Sequence, residues 1–173
     1  VYEGVELAKA EGCGVILGVG GGSIMDAAKA IAFCTVNAGD VSDYIFGKKQ
    51  GAGALPIVLL PTTCGTGSEG NQIAVLTNPE TKDKKALYTM QVMPRVSVID
   101  PDVMTTMPKS VLSSVGFDAF THSLEAYTSK KANPITDAQA LLGMQLLADD
   151  LPKLVSGEGG APEWEAVSLA ATL

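Results

Sequence analysis

Two strand-sized apolar runs in this chain each end directly in a glycine-rich turn. "GVILGV" (14–19) runs into "GGGS", and "PIVLLP" (56–61) runs into "TTCGTGSEGN". This pairing narrows the fold more than any other feature. A buried strand that breaks at glycines is the usual connection in an open α/β sheet, and such sheets bind ligands outside the carboxyl ends of their strands. After the first turn, "IMDAAKAIAFCT" (24–35) has small residues at helical spacing and predicts a helix. Residues 1–11 predict another helix, and 37–54 a loop rich in turn formers. "QIAVLTNPETKDKKALY" (72–88) reads as two extended pieces around a turn at Asn78-Pro79, and "RVSVID" (95–100) as a further strand. The character changes near Pro108. Beyond it the patterns predict helices over Lys109–Lys131, Thr136–Leu154 and Pro162–Leu173, with no strand. The expected fold is therefore α/β, a partial parallel-sheet domain over 1–107 followed by a partial all-helical domain over 108–173.

Composition excludes several classes. The chain has 173 residues, 46% of them apolar and 18% charged, so it is globular. A net charge of −7 argues against a nucleic-acid binder, which would show a basic face. No apolar run reaches the length of a membrane span, and no signal peptide is visible. Cys13, Cys34 and Cys64 are odd in number and widely spaced, unlike a disulfide framework or zinc cluster. A reducing cytoplasm is the expected setting. The first residue is Val, and the last residues stop inside an amphipathic pattern, so the chain reads as a piece of a longer protein.

The glycine turns carry the first chemistry. Glycines let a backbone approach a ligand, and the start of the following helix adds partial positive charge, which suits a phosphate. The spacing of Gly18, Gly20, Gly21 and Gly22 matches neither the Rossmann fingerprint nor a Walker A motif. Alone, the turn is as readily a structural connection. In the second turn, Thr62, Thr63, Thr66 and Ser68 add hydroxyls able to hold a pyrophosphate, ribose or amide; an ordinary polar loop would look similar. Lys82, Lys84 and Lys85 make a basic turn, which usually means a solvated hairpin tip.

The chain's only histidine is His122, four residues after Asp118 in "GFDAFTHSLEAY" (116–127). On a helix the two lie on one face. A lone pair of this kind is more often structural than metal-binding, and two ligands fall short of the usual three or four. A structural pair predicts a direct hydrogen bond and a buried imidazole. A metal pair predicts an open face, with Phe117, Phe120 and Leu124 packing elsewhere.

"GGGSIMDAAK", "PTTCGTGSE", "DPDVMTTMP" and "GFDAFTHSLEAY", in this order and spacing, together resemble the iron-containing (group III) alcohol dehydrogenases, whose fold is that of dehydroquinate synthase. The resemblance covers nearly the whole chain. It implies a dinucleotide-binding α/β domain, an all-helical domain with a metal, and hydride transfer between NAD or NADP and a small alcohol or aldehyde. Gly21, Gly22, Ser23 and Asp26 would line the cofactor pyrophosphate and ribose. Thr62, Thr63 and Thr66 would line the nicotinamide half, and Lys84 would contact the cofactor. Asp118 and His122 would be the first two ligands of Fe²⁺, with Zn²⁺ the alternative. The family's two further metal-binding histidines have no counterpart here, and its opening βαβ unit is missing, so a fragment lacking both ends is implied. Gly70 and Asn71 replace the usual hydrophobic-Thr pair. The resemblance also implies a homo-oligomer of the full-length protein. A glycerol-dehydrogenase-like zinc enzyme and a truncated, non-catalytic nucleotide-binding fragment are the competing readings.

Overall fold

The computed structural model describes residues 1–45, 48–78 and 81–173. The chain packs as two units. Val1–Leu60 and Ser68–Val98 form the first; Pro61–Gly67 and Ile99–Leu173 form the second. The packing is thus not strictly sequential, because the stretch after the second apolar run leaves the first unit and the chain then returns to it.

In the first unit, α1 (Tyr2–Ala10) precedes β1 (Ile16–Gly20), and α2 (Gly22–Val36) follows directly. Strands β1, β2 (Ile57–Pro61) and β5 (Val96–Ser97) lie side by side in that order, with β2 and β5 parallel and Val58 opposite Val96. The parallel sheet and flanking helices are those expected. Gly18 explains how closely α2 lies on the sheet: a Cβ there would come 2.7 Å from a Leu59 δ-carbon and 2.8 Å from the Ala28 Cβ. Side chains alternate along a strand, so Leu17 and Val19 point away from α2 and are 62% and 51% exposed. The strand predicted as buried is thus covered on one face only by the described residues. Met25, Ala28 and Phe33 of α2 pack with Ile57 and Leu59 of β2 into the core. The Phe33 and Tyr44 rings meet edge to face at 5.0 Å.

The two expected extended pieces pair as an antiparallel hairpin, β3 (Ile73–Thr77) with β4 (Lys84–Tyr88), in register from Ile73–Tyr88 to Thr77–Lys84. Pro79 of the expected turn, and Phe46 and Gly47 of the expected loop, lie outside the described residues. The strand predicted over 95–100 is only two residues long. Asp100 ends it by accepting a bond from the Asp102 N–H at 3.0 Å, which opens a 3₁₀ turn over Pro101–Met104.

The second unit is built on α3 (Lys109–Thr128), α4 (Pro134–Ser156) and α5 (Ala161–Thr172). Helix α4 starts two residues earlier than its apolar pattern predicts. Asn133 caps it by accepting from the Ile135 and Thr136 N–H groups, and Pro134 suits the first turn. It ends at Gly157, in the left-handed region at φ 90°. Cys64, Met104, Leu112, Ala119, Leu147, Leu154, Val167 and Ala170 form this unit's core. Among the described residues no helix is long and apolar enough to cross a membrane.

Candidate functional site

The first glycine turn delivers the chain into α2 with Gly21 as its N-cap and no side-chain cap. No acidic residue lies in the first turn of α2. The first amides of a helix lack intrahelical acceptors, and at Gly22 and Ser23 no side chain of this helix supplies one. Gly21 and Gly22 are half-buried and Ser23 is exposed. One turn on, Asp26 points into its own unit. One carboxylate oxygen accepts from the Ser68 hydroxyl at 2.6 Å, and the other from the Val75 N–H at 3.0 Å.

Beside Asp26 is a residue that sequence reasoning missed. Lys29 is completely buried. Its ammonium donates to the Ser68 carbonyl at 2.5 Å, the Ser68 hydroxyl at 2.9 Å, Asn71 Oδ1 at 3.1 Å and the Ile73 carbonyl at 2.8 Å. A signal was present in the sequence. Lys29 stands four residues after Met25 and four before Phe33, on the apolar stripe of α2, where a charge requires a partner. Burial lowers its pKa from 10.5 to about 8, while the Asp26 and Glu69 carboxylates pull in the opposite direction. At neutral pH it remains an ammonium.

The consequence for stability has a definite sign. The folded value lies below the unfolded one, so between about pH 8 and 10.5 the unfolded chain holds a proton that the folded chain has released. Stability owed to this group therefore rises with pH across that window, by about 3 kcal/mol at most, and is flat below it. Urea denaturation at pH 7.5, 9 and 10.5 should show the parent gaining on Lys29→Met across the window. Parallel profiles for the two proteins would contradict the assignment.

The second turn lies in the other unit as far as Gly67, and Ser68 onward belongs to the first. Thr62 and Thr63 are half-buried, Thr66 is exposed, and Cys64 packs into the helical core. Its glycines answer to packing. A Cβ on Gly65 would come 2.7 Å from both the Cβ and the carbonyl oxygen of Val115 on α3. Gly67 has φ +58°, and a Cβ there would lie 2.9 Å from the Ala171 carbonyl oxygen on α5. Lys84 is exposed at the start of β4, opposite Thr77.

On α3, Asp118 and His122 share a face as their spacing requires. Asp118 Oδ1 lies 3.8 Å from His122 Nε2, and the side chains are 48% and 50% exposed. That separation is too long for a hydrogen bond. The buried, bonded pair expected of a structural role is not what these residues form. Phe117, expected to pack, is 68% exposed, and Leu124 is 44% exposed; Phe120 alone of the three packs against the core. Phe117 instead stacks on Phe120 with centroids 6.3 Å apart. Among the described residues no group of three or more His, Cys, Asp or Glu is placed to hold an ion.

The fold is that of solved dehydrogenases and reductases. A crystal structure of 1,3-propanediol oxidoreductase superposes with a TM-score of 0.94 at 36% identity, covering 99% of this chain and 45% of that one. A sulfoacetaldehyde reductase from Bifidobacterium kashiwanohense in complex with NAD⁺ also gives 0.94, at 30% identity over 99% of this chain and 46% of that one. The chain belongs to the iron-containing alcohol dehydrogenase family: residues 1–101 match that family, and residues 113–173 match its C-terminal domain. The NAD-dependent methanol dehydrogenase of Bacillus methanolicus is 37% identical over 170 residues, which are 98% of this chain and 45% of that protein. The chain thus spans less than half the length of these relatives.

Proposed function

We propose that this chain is part of a metal-dependent alcohol dehydrogenase that moves a hydride between NAD or NADP and a small primary alcohol or aldehyde. The observation that carries the reading is the pair on α3. Asp118 and His122 present one carboxylate oxygen and one imidazole nitrogen, 3.8 Å apart, half-exposed and not bonded to each other. Two ligands with bonds of about 2.0–2.2 Å to one ion fit that spacing. This donor set suits Fe²⁺ or Zn²⁺, and the family's name favours iron. A divalent ion so held supplies Lewis-acid chemistry to a substrate oxygen.

The dinucleotide half of the reading rests on residues 1–107. The open N-terminus of α2 at Gly21, Gly22 and Ser23 suits a pyrophosphate. Thr62, Thr63 and Thr66 are proposed for the nicotinamide half, and the exposed Lys84 for a phosphate or ribose. Asp26 already uses both oxygens within the fold, so any ribose contact would employ their remaining lone pairs. NAD is preferred to NADP because similar proteins carry NAD in their names. Residues 108–173 are proposed as the start of the metal-binding domain. A cytoplasmic setting, in keeping with free Cys13, Cys34 and Cys64, and a homo-oligomer of the whole protein belong to the same proposal.

The test is to purify the intact protein anaerobically, measure its metal by elemental analysis, and assay alcohol oxidation with NAD and with NADP. Near-stoichiometric iron with NAD-linked turnover is the expected result. Zinc with turnover would select the glycerol-dehydrogenase-like reading. A protein that retains no divalent metal and shows no turnover would overturn the proposal.

A further inference from the structure

We infer that Glu125 is a positioning residue for the metal pair: from one turn further along α3 its carboxylate accepts from His122 Nδ1–H and holds the ring with Nε2 turned toward Asp118 and an ion. The inference rests on the metal reading above and adds to it a residue that is not itself a ligand.

The helix leaves His122 few partners. Residues three and four apart are neighbours on a helix surface, and adjacent residues do not face each other. For His122 those neighbours are Asp118 and Ala119 on one side, Glu125 and Ala126 on the other. Two are carboxylates, and two are alanines without a polar side-chain atom. Asp118 Oδ1 faces Nε2 at 3.8 Å, so Nε2 is the ring nitrogen on the ligand side and Nδ1 is left over. A neutral imidazole that gives one nitrogen to an ion carries its proton on the other. Metal-bound histidines almost always donate that proton to a carboxylate, a backbone carbonyl or water. On α3 the carboxylate placed for this is Glu125.

Direction agrees with position. Helical side chains lean toward the N-terminus of their helix. His122 leans toward Asp118 in this way, and Glu125 leans toward His122. The three residues stand at i, i+4 and i+7, within roughly 60° around the helix axis, and so form one stripe. The stripe is open: Glu125 is exposed, and Asp118 and His122 are half-exposed. The nearby hydroxyls serve their own helix, since Thr121, Ser123 and Thr128 donate to the Phe117, Ala119 and Leu124 carbonyls. The Glu125 carboxylate is bonded to no described residue, and neither is Nδ1 of His122. An acceptor without a donor thus stands one turn from a donor without an acceptor. Rotation about the side-chain torsions of Glu125 brings them together without moving the backbone. Among the described residues the three groups do not converge as ligands of one ion, which fits a carboxylate behind the ring better than one on the ion.

The experiment uses the intact protein, stripped of metal, with Glu125→Ala and Glu125→Gln. Alanine removes both the charge and the acceptor, whereas glutamine keeps a carbonyl acceptor and removes only the charge. Dissociation constants for Fe²⁺, handled anaerobically, and for Zn²⁺ are read by competition with a chelator, and the melting temperature of each apoprotein is recorded. Glu125→Ala should bind both ions about tenfold or more weakly than the parent. Glu125→Gln should stay within about threefold of the parent. Both apoproteins should melt within about 1–2 °C of the parent, because the side chain is exposed and has no structural partner. Parent-like metal affinity in Glu125→Ala would overturn the inference. So would a Glu125→Gln variant as weak as Glu125→Ala, which would assign the effect to charge and not to a hydrogen bond. A marked fall in the apoprotein melting temperature of Glu125→Ala alongside its loss of metal would make the role structural and overturn it as well. A parent that binds neither ion, or that binds as tightly after His122→Ala, would overturn the metal reading and this inference together. A parent that binds through His122 while Glu125→Ala is unaffected would overturn this inference alone.

Discussion

His122→Ala in the intact protein is expected to lose its bound metal and, with it, turnover by at least about a hundredfold, while the fold is retained. The expectation comes from how little the side chain does for the fold. His122 is half-exposed, and its Nε2 lies 3.8 Å from Asp118 Oδ1, too far for a hydrogen bond. Removing a half-exposed side chain without a structural partner changes stability by no more than about 0.5 kcal/mol. A metal ligand behaves otherwise, because each bond to the ion contributes directly to retention. Elemental analysis, a melting curve and an NADH titration on one preparation separate the two roles. Loss of metal with an unchanged melting temperature and intact NADH binding supports the ligand role. Stoichiometric metal in the variant would remove His122 from the site.

Gly65→Ala is expected to destabilise the protein by about 1–3 kcal/mol, although alanine is usually a mild change in a loop. The added methyl would sit 2.7 Å from the Val115 Cβ and from the Val115 carbonyl oxygen. The backbone of α3 cannot rotate away as a flexible side chain could, so either the turn or the helix must shift. A fall in melting temperature of roughly 2–4 °C per kcal/mol would report it. Gly14→Ala is the comparison: nothing lies within 4 Å of a Cβ there, so its melting temperature should stay within about 1–2 °C of the parent. Should Gly65→Ala melt with the parent, the turn is not pressed against α3. The outcome bears on function too, since the sequence reading assigns these glycines to ligand approach. If Thr62, Thr63 and Thr66 hold the nicotinamide half as proposed above, their shift with the turn would also lower cofactor affinity in the same variant.

What could be read from the sequence follows from periodicity and punctuation. Apolar runs closed by glycines marked β1 and β2, and helical spacing after Pro108 marked α3, α4 and α5, because these signals act over a few residues and need no distant partner. Asp118 and His122 came onto one face through the 3.6-residue repeat alone. The family was legible in four short motifs kept in order. Burial was not legible, since it depends on what covers an element. "GVILGV" looks fully buried, yet Leu17 and Val19 are open because α2 covers only the Gly18 side. "AAKAIA" shows a helix but no partner for its lysine, and Lys29 is buried because residues about 40 positions later return to surround its ammonium. Gly65 reads as a ligand-facing glycine, and only the close approach of Val115 shows that packing alone already forbids a side chain there. Local pattern determined which elements form, since backbone propensity and hydrophobic spacing are properties of neighbouring residues. Tertiary contact decided which faces are covered, which charge is buried and which glycine has no room, since each of those depends on residues far away in the chain.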